Sequence, residues 1–150
     1  MNNSQVGAFG RLDGSLGFVI NKVALILKNE FEHELGACGI TAIQFSVIKR
    51  LWEEDGLNQK ALAERTFKKT SEITHLVDKL EAKGLVVRAA NENDRREYRI
   101  HLTEKGRALE IPAVEAAHRT LKRGLEGISQ EEVAQLLKLL ERIFSNLYAS

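Results

Sequence analysis

Short polar side chains recur along one face of a segment in the middle of the chain. The opposite face is apolar and has helical spacing, with Ile73, Leu76, Val77 and Leu80. At about 100° per residue, the outward face carries Ser71, Thr74, His75 and Asp78. Small hydroxyl and imidazole groups suit hydrogen bonding to base edges in the major groove of DNA. The spacing therefore predicts a helix whose exposed face contacts bases.

Lysines flank this predicted helix. Lys68 and Lys69 directly precede it, and Lys79 and Lys83 lie along its flank. Ammonium groups in such positions contact phosphates and supply affinity without sequence information. A lysine taken singly is more often a solvated surface charge, but four beside one polar face favour a DNA-binding surface. We expect the contacts from this helix to come from Lys68, Lys69, Thr70, Ser71, Thr74, His75 and Lys79.

Asp78 does not fit a purely cationic surface, because a carboxylate that faces DNA repels phosphate. The sequence leaves two interpretations open. Asp78 either pairs with a nearby arginine, or it accepts a hydrogen bond from a cytosine amino group.

A second cationic feature lies at the tip of a predicted β-hairpin. The strands are predicted around Leu85–Val87 and over Tyr98–Leu102, where apolar and polar residues alternate. The polar tip between them contains Asp94, Arg95 and Arg96. Arginine is the usual side chain in a narrow minor groove, and a carboxylate two residues earlier could hold it extended. Taken alone, Asp94 and Arg96 could equally form a surface ion pair worth about 0 to 1 kcal/mol.

Helical periodicity and capping residues account for the elements that position these groups. Thr41 with Gln44, and Ser129 with Glu132, match the capping box that begins a helix. Pro112 predicts a kink in the helix that follows the hairpin. We predict helices over about 15–35, 41–54 and 59–65, a fourth ending before Gly84, a fifth from Thr103 to about Gly124, and a last one from Ser129 nearly to the end. The glycines before the first helix predict a flexible N-terminal arm.

The predicted fold is mainly α with a small β-hairpin wing. Two short helices joined by a tight turn form a helix-turn-helix, and a hairpin after it makes a winged helix. The first and last helices carry apolar faces that the central part does not need for its own core, so they are predicted to meet a second copy. We therefore expect a winged helix-turn-helix domain flanked by N- and C-terminal dimerisation helices.

Composition limits the class of protein. The chain has 150 residues, of which 43% are hydrophobic and 29% charged, as expected for one globular domain spanning 1–150. Cys38 is the only cysteine, which excludes an internal disulfide and favours a cytoplasmic location. No stretch approaches the roughly 20 apolar residues of a membrane span. The net charge is only +1, but residues 58–107 carry 12 Lys or Arg against 8 Asp or Glu. The positive field is therefore concentrated around the predicted helix-turn-helix and wing.

An ordered set of segments resembles the MarR family of bacterial transcription regulators. It covers nearly the whole chain and includes a recognition helix, an Asp-x-Arg wing and a Leu-Thr-x-x-Gly motif. The segments are Gly39–Thr41, Asn58–Ala63, Ser71–Glu81, Lys83–Val86, Asp94–Arg96 and Leu102–Gly106. Glu72 departs from the pattern, since many members have a small or hydroxyl residue there.

The resemblance implies a homodimeric, ligand-responsive regulator, with repression as the expected effect, that binds a pseudo-palindromic operator in double-stranded DNA. It implies a winged helix-turn-helix over approximately 40–105 and dimerisation helices over approximately 10–36 and 107–149. Arg96 would enter the minor groove and Asp94 would orient it. A small aromatic or phenolic effector is implied between the dimer interface and the DNA-binding part, without assigning its contact residues.

Three alternatives have weaker support. An enzyme is disfavoured because His33-Glu34 lacks a second histidine four residues on, and no nucleophile or phosphate-loop motif is present. The four histidines are scattered, so we expect no metal and no cofactor. A non-specific architectural or single-strand binder would display more stacking aromatics than Phe67 and Tyr98 in the basic region. A redox-responsive regulator would act through Cys38, although no second cysteine is present to resolve an oxidised thiol.

Overall fold

The computed structural model describes residues 14–149. The predicted flexible N-terminal arm and residues 10–13 of the predicted first dimerisation helix lie outside these residues. In chain order the helices are α1 (Leu16–Glu34), α2 (Ala42–Glu53), α3 (Gln59–Thr66), α4 (Thr70–Ala82), α5 (Glu104–Ala108), α6 (Glu110–Gly124) and α7 (Gln130–Tyr148). The strands are β1 (Leu57–Asn58), β2 (Val86–Ala90) and β3 (Tyr98–Leu102), and a short 3₁₀ helix covers Leu35–Cys38.

Capping side chains set the starts of the helices, as the sequence predicts. The Thr41 hydroxyl accepts from the backbone N–H of Gln44 at 3.1 Å, and the Gln44 side chain accepts from the N–H of Thr41 at 3.2 Å. Asn58 caps α3, Thr103 caps α5, and a second capping box begins α7 at Ser129. These bonds satisfy N–H groups that have no partner within the helix.

The predicted fifth helix is divided into two. Leu109 separates α5 from α6, three residues before Pro112. The proline ring clashes with the carbonyl four residues earlier, and the ring nitrogen cannot donate to it, so the interruption falls N-terminal to the proline itself. Pro112 lies in the first turn of α6, where a missing N–H costs little. The predicted kink is thus confirmed in the form of a break.

The sheet has three antiparallel strands in the order β1, β3, β2. The β2–β3 hairpin was predicted, and its register places Val86 opposite Leu102 and Arg88 opposite Ile100. The short strand β1 was not predicted, and it pairs Leu57 with Ile100. Two residues are too few to show strand alternation, which explains why the sequence gives no signal for β1.

The core lies inside the winged helix-turn-helix, where α2, α3, α4 and the sheet meet. The predicted inward residues of α4 are all buried, and the largest buried side chains around them include Ile48, Leu51, Leu62 and Ile100. Trp52 Nε1 donates to the carbonyl of Gly106 at 2.9 Å and so joins α2 to α5. Gly106 admits no side chain, because an added Cβ would lie 2.0 Å from the carbonyl oxygen of Leu85. This close approach explains the glycine of the Leu-Thr-x-x-Gly segment.

Ion pairs connect α1 to α6 outside this core. Arg119 Nε lies 2.8 Å from Glu34 Oε2, and Arg123 Nη2 lies 2.5 Å from Glu30 Oε2. The hydrogen bond from Arg119 lowers the pKa of the Glu34 carboxyl below its ordinary value. Of the helices within residues 14–149, none is both long and apolar enough to cross a membrane.

Candidate nucleic-acid interface

The recognition helix α4 begins immediately after the turn that joins it to α3. Phe67 ends α3 in the left-handed conformation, with φ of 54° and ψ of 39°. The backbone N–H of Lys69 then donates to the Glu72 carboxylate at 2.9 Å. A carboxylate in the first turn also interacts favourably with the positive end of the helix dipole. Glu72, the residue that departs from the family pattern, therefore caps the helix from within.

The outward face of α4 is polar and open to solvent. Ser71, Thr74, His75 and Lys79 are all exposed, on the opposite side from the buried apolar residues. The Thr74 hydroxyl lies 3.0 Å from both the Gln59 side-chain carbonyl and the backbone carbonyl of Thr70. The face is therefore available to a partner, and Thr74 is also held in place by the helix before it.

The start of α4 and the wing flank two neighbouring grooves. The groove at the start of α4 has a volume of about 730 Å³, and its lining includes Lys60, Lys68, Lys69, Thr70 and Glu72. A smaller groove of about 220 Å³ is lined by Asn58, Lys60, Arg96, Glu97 and two further residues. Lys60 lines both grooves, so α3 brings a cation between the recognition helix and the wing. The sequence analysis did not single out Lys60, although its place at the start of a helix-turn-helix was a usable signal.

Asp78 pairs with an arginine of the wing, which decides between the two interpretations left open by the sequence. Arg88 Nη2 lies 2.6 Å from Asp78 Oδ1. The carboxylate is thus already engaged by a cation carried on β2. The position of Asp78 on the outward face suggested an arginine partner. The sequence could not identify it as Arg88, because the register of the β2–β3 hairpin, which the sequence does not give, brings Arg88 to α4.

The Lys83 side chain binds two acceptors within the chain. Its Nζ donates to the carbonyl of Gly39 at 2.6 Å and to the Gln44 side-chain carbonyl at 2.8 Å. The ammonium therefore joins the end of α4 to the start of α2. The expectation that Lys83 meets phosphates alongside Lys79 is not supported, because both of these acceptors lie on α2 or directly before it.

The tip of the wing is shaped by side chains that bond to the backbone. Asn91 Oδ1 accepts from the backbone N–H of Asn93 at 3.1 Å, and Asp94 Oδ1 accepts from the backbone N–H of Arg96 at 3.0 Å. Asp94, Arg95 and Arg96 are all exposed. Among the ion pairs found within residues 14–149, none joins Asp94 to Arg96. Asp94 thus fixes the backbone of Arg96 and forms no ion pair with its side chain.

Glu97 anchors the C-terminal side of the tip. It accepts from Asn91 Nδ2 at 2.5 Å and from the side-chain amide of Asn58. These bonds, led by that from Asn91, lower the pKa of the Glu97 carboxyl below its ordinary value. Asn58 also caps α3, so one side chain fixes the wing to the helix-turn-helix.

The base of the wing is held by Asp55. Its carboxylate accepts from the N–H of Leu102 at 2.8 Å and from Arg107 Nη2, also at 2.8 Å, and it lies 3.4 Å from His101 Nδ1. Burial alone would raise the pKa of Asp55, but the hydrogen bonds from Leu102, His101 and Arg107 outweigh burial and lower it. Both ends of the wing are therefore tied to the helices.

The described residues do not present a metal centre. Within residues 14–149, no group of three or more His, Cys, Asp or Glu side chains is arranged to hold a metal ion. The exposed groups at the helix and wing are hydroxyls, imidazole, ammonium and guanidinium. These groups bind base edges and phosphates, and exposed carboxylates such as those of Glu72 and Asp94 lie among them.

Comparison with known proteins agrees with this geometry. The sequence profile of the MarR family matches residues 40–98. The transcriptional regulator TtmR of Methylorubrum extorquens is 33% identical over 92% of this chain and 70% of its own length. The organic hydroperoxide resistance regulator of Bacillus subtilis is 28% identical over 92% of each chain.

The fold is shared with solved members of the same family. The repressor CouR bound to a 23-mer DNA duplex superposes with a TM-score of 0.82 and 30% identity, covering 92% of this chain and 96% of CouR. CouR from Rhodococcus jostii RHA1 bound to p-coumaroyl-CoA gives a TM-score of 0.80 at 30% identity, covering 89% of this chain and 94% of that one. The chain therefore belongs to the MarR family of winged-helix, DNA-binding transcription regulators, which are not enzymes.

Proposed function

We propose that this regulator binds a specific pseudo-palindromic operator in double-stranded DNA as a homodimer, and that it is a cytoplasmic, ligand-responsive repressor. Residues 1–150 would then act as one unit, in which the helix-turn-helix and wing bind DNA and the terminal helices dimerise. The observation that carries the proposal is the outward face of α4. Its polar side chains are exposed, lysines precede and flank it, and the wing carries two exposed arginines at its tip.

The terminal helices support a homodimer. Neither α1 nor α7 buries a single residue within the chain, although each is 19 residues long. Both expose large apolar side chains that include Phe18, Val23 and Ile26 on α1, and Leu136, Leu137 and Phe144 on α7. Apolar surface on this scale favours association, and a two-fold axis uses the same patch of each copy.

The operator geometry follows from the two-fold axis. Two copies of α4 would enter successive major grooves, so the half-sites should lie about 10 bp apart from centre to centre. We assign phosphate contacts to Lys68, Lys69 and Lys79, base contacts to Ser71, Thr74 and His75, and the minor-groove contact to Arg96. Thr70 at the helix start and Arg95 at the wing tip complete the proposed interface.

A cleft between α1, α2 and α6 is the best candidate for an effector site. Its volume is about 450 Å³, and its apolar lining includes Leu27, Phe31, Phe45, Val114 and Leu121. Lys28, Lys49 and His118 line the same cleft. Aromatic walls with cationic groups suit an aromatic carboxylate or a phenolate. CouR was solved with p-coumaroyl-CoA, whose acyl group is itself phenolic, and this supports the proposal of a phenolic effector.

A salt titration tests the proposal against non-specific binding. Fluorescence anisotropy would compare DNA from upstream of the regulator's own gene with a random duplex of equal length. A specific regulator should bind the former about 10³-fold or more tightly at physiological salt. An architectural protein would bind both duplexes equally, and the two salt dependences would coincide.

A further inference from the structure

Arg88 makes an unusual number of contacts to the recognition helix. It is carried on β2, and its side chain is 20% exposed. Nη2 bonds to Asp78 Oδ1 at 2.6 Å and to the backbone carbonyl of Thr74 at 3.2 Å. Nη1 lies 3.5 Å from Glu81 Oε1, and the backbone N–H of Arg88 donates to Glu81 Oε2 at 3.2 Å. One residue of the wing thus holds three successive turns of α4.

Arg88 balances the negative charges of two carboxylates on α4, those of Asp78 and Glu81. Asp78 and Glu81 are both exposed on α4, with their side chains 57% and 42% accessible. Lys79 lies next to Asp78 in sequence, but none of the ion pairs among the described residues joins it to either carboxylate. Arg88 is therefore the cation that neutralises the acidic side of a helix whose neighbouring face is to approach DNA.

We infer that Arg88 is a positioning and specificity-determining residue that keeps the Asp78 carboxylate away from DNA and fixes the rotation of α4 against the wing. This inference rests on the proposed function of α4. It follows from the geometry because the guanidinium bonds both to the backbone of α4 and to a carboxylate one turn later. Freed from Arg88, Asp78 would repel phosphates and could accept from a cytosine amino group. By holding Asp78, Arg88 would prevent this carboxylate from contacting cytosine and leave base recognition to Thr74 and His75.

A mutant cycle on Arg88 and Asp78 tests the inference. Operator affinity would be measured by anisotropy at fixed salt for Arg88→Ala, Asp78→Asn and the double variant, using a duplex selected from a random library by the wild-type protein. Arg88→Ala should weaken binding about tenfold or more, because it leaves the Asp78 carboxylate facing the DNA phosphates without a cation between them. Asp78→Asn alone should change affinity less than about threefold, since the amide can still accept from Arg88. The double variant should regain most of the affinity lost by Arg88→Ala.

Base preference supplies a readout that a merely structural role would not change. Repeating the selection with Arg88→Ala should enrich cytosine at a position where the wild-type protein shows no such preference. Arg123→Ala is the matched control, because it removes the same charge from ion pairs that join α1 and α6 and should leave the selected sequence unchanged. If Arg88→Ala does not fold, Arg88→Lys keeps the charge but not the forked geometry, and it should show a weaker form of the same shift.

Two results would overturn the inference. A double variant that binds no better than Arg88→Ala, with a salt dependence lowered by about one ion, would make Arg88 a direct phosphate contact. An unchanged selected sequence in both Arg88→Ala and Arg88→Lys would remove its role in specificity. Failure of the proposed function is separate, because the wild-type protein itself would then select no sequence.

Discussion

Asp94 Oδ1 accepts a hydrogen bond from the backbone N–H of Arg96 at 3.0 Å. The bond spans two residues and closes a turn at the tip of the wing, as short carboxylate side chains often do. It fixes the backbone from which the exposed Arg96 side chain departs. The carboxylate therefore acts on the backbone of this arginine, in contrast to the side-chain contact that the sequence suggests.

Arg96→Ala should weaken operator binding by about 1 to 3 kcal/mol. The loss should be largest where the flanking DNA is A·T-rich, because its narrow minor groove attracts arginine most strongly. Anisotropy with two operators that differ only in these flanks would measure the difference. Equal affinity of wild type and Arg96→Ala on both duplexes would exclude Arg96 from the interface.

Asp94→Ala should reproduce part of the Arg96→Ala loss, because the wing turn loses its hydrogen bond. Asp94→Asn is the matched control, since its side-chain carbonyl can still accept from the backbone N–H of Arg96. We expect Asp94→Asn to bind the operator at least as well as wild type in the same assay. Loss of affinity in Asp94→Asn equal to that in Asp94→Ala would show that the charge matters and not the turn.

Capping residues and hydrophobic spacing predicted the helices and the hairpin better than the side-chain contacts between them. Thr41, Asn58 and Ser129 cap helices within three residues of themselves, so their signals are readable in the sequence. The partner of Asp78 is Arg88, ten residues away along the chain, and the sequence alone does not give the hairpin register that brings them together. The same reason explains why the sequence did not give the partners of Lys83, one of which, Gly39, is 44 residues away.

The lysines beside α4 and the polar residues Thr74 and His75 on its outward face should respond differently to substitution. Lys69→Ala or Lys79→Ala should weaken binding to operator and random duplex alike, and it should lower the salt slope by about one. Thr74→Ala or His75→Ala should instead change which base pairs are preferred, at a cost of about 1 to 3 kcal/mol for each lost contact. Salt titrations on both duplexes separate the two classes. A lysine variant that loses only operator binding would have to be reassigned to base contact.

Asp55 should make stability depend on pH. Its pKa is lowered in the folded protein, so the unfolded chain binds more protons near pH 4 and folding weakens as the pH falls through that range. Asp55→Asn should cost about 1 to 3 kcal/mol at neutral pH, because the neutral amide keeps one acceptor oxygen and cannot accept charge-assisted hydrogen bonds from both Leu102 and Arg107. The difference from wild type in urea unfolding should shrink below pH 4. A difference independent of pH would exclude a role for the carboxylate charge.

Cys38 should not be required for regulation. It is half-buried after α1, packs against the core, and is the only cysteine of the chain. A redox switch generally needs an accessible thiolate and a group that resolves its oxidised form. We expect peroxide to leave operator affinity unchanged in both wild type and Cys38→Ser. Release of DNA by peroxide in wild type but not in Cys38→Ser would instead support the redox alternative.

Selection of binding sites from a random duplex library is the most direct test of the central claim. The 150-residue chain should enrich a pseudo-palindrome with half-sites about 10 bp apart from centre to centre, because the proposed dimer axis relates two copies of α4. Light scattering of the complex should give two chains of 16.8 kDa on each duplex. Absence of any enriched sequence, or a single chain bound to an asymmetric site, would contradict this account.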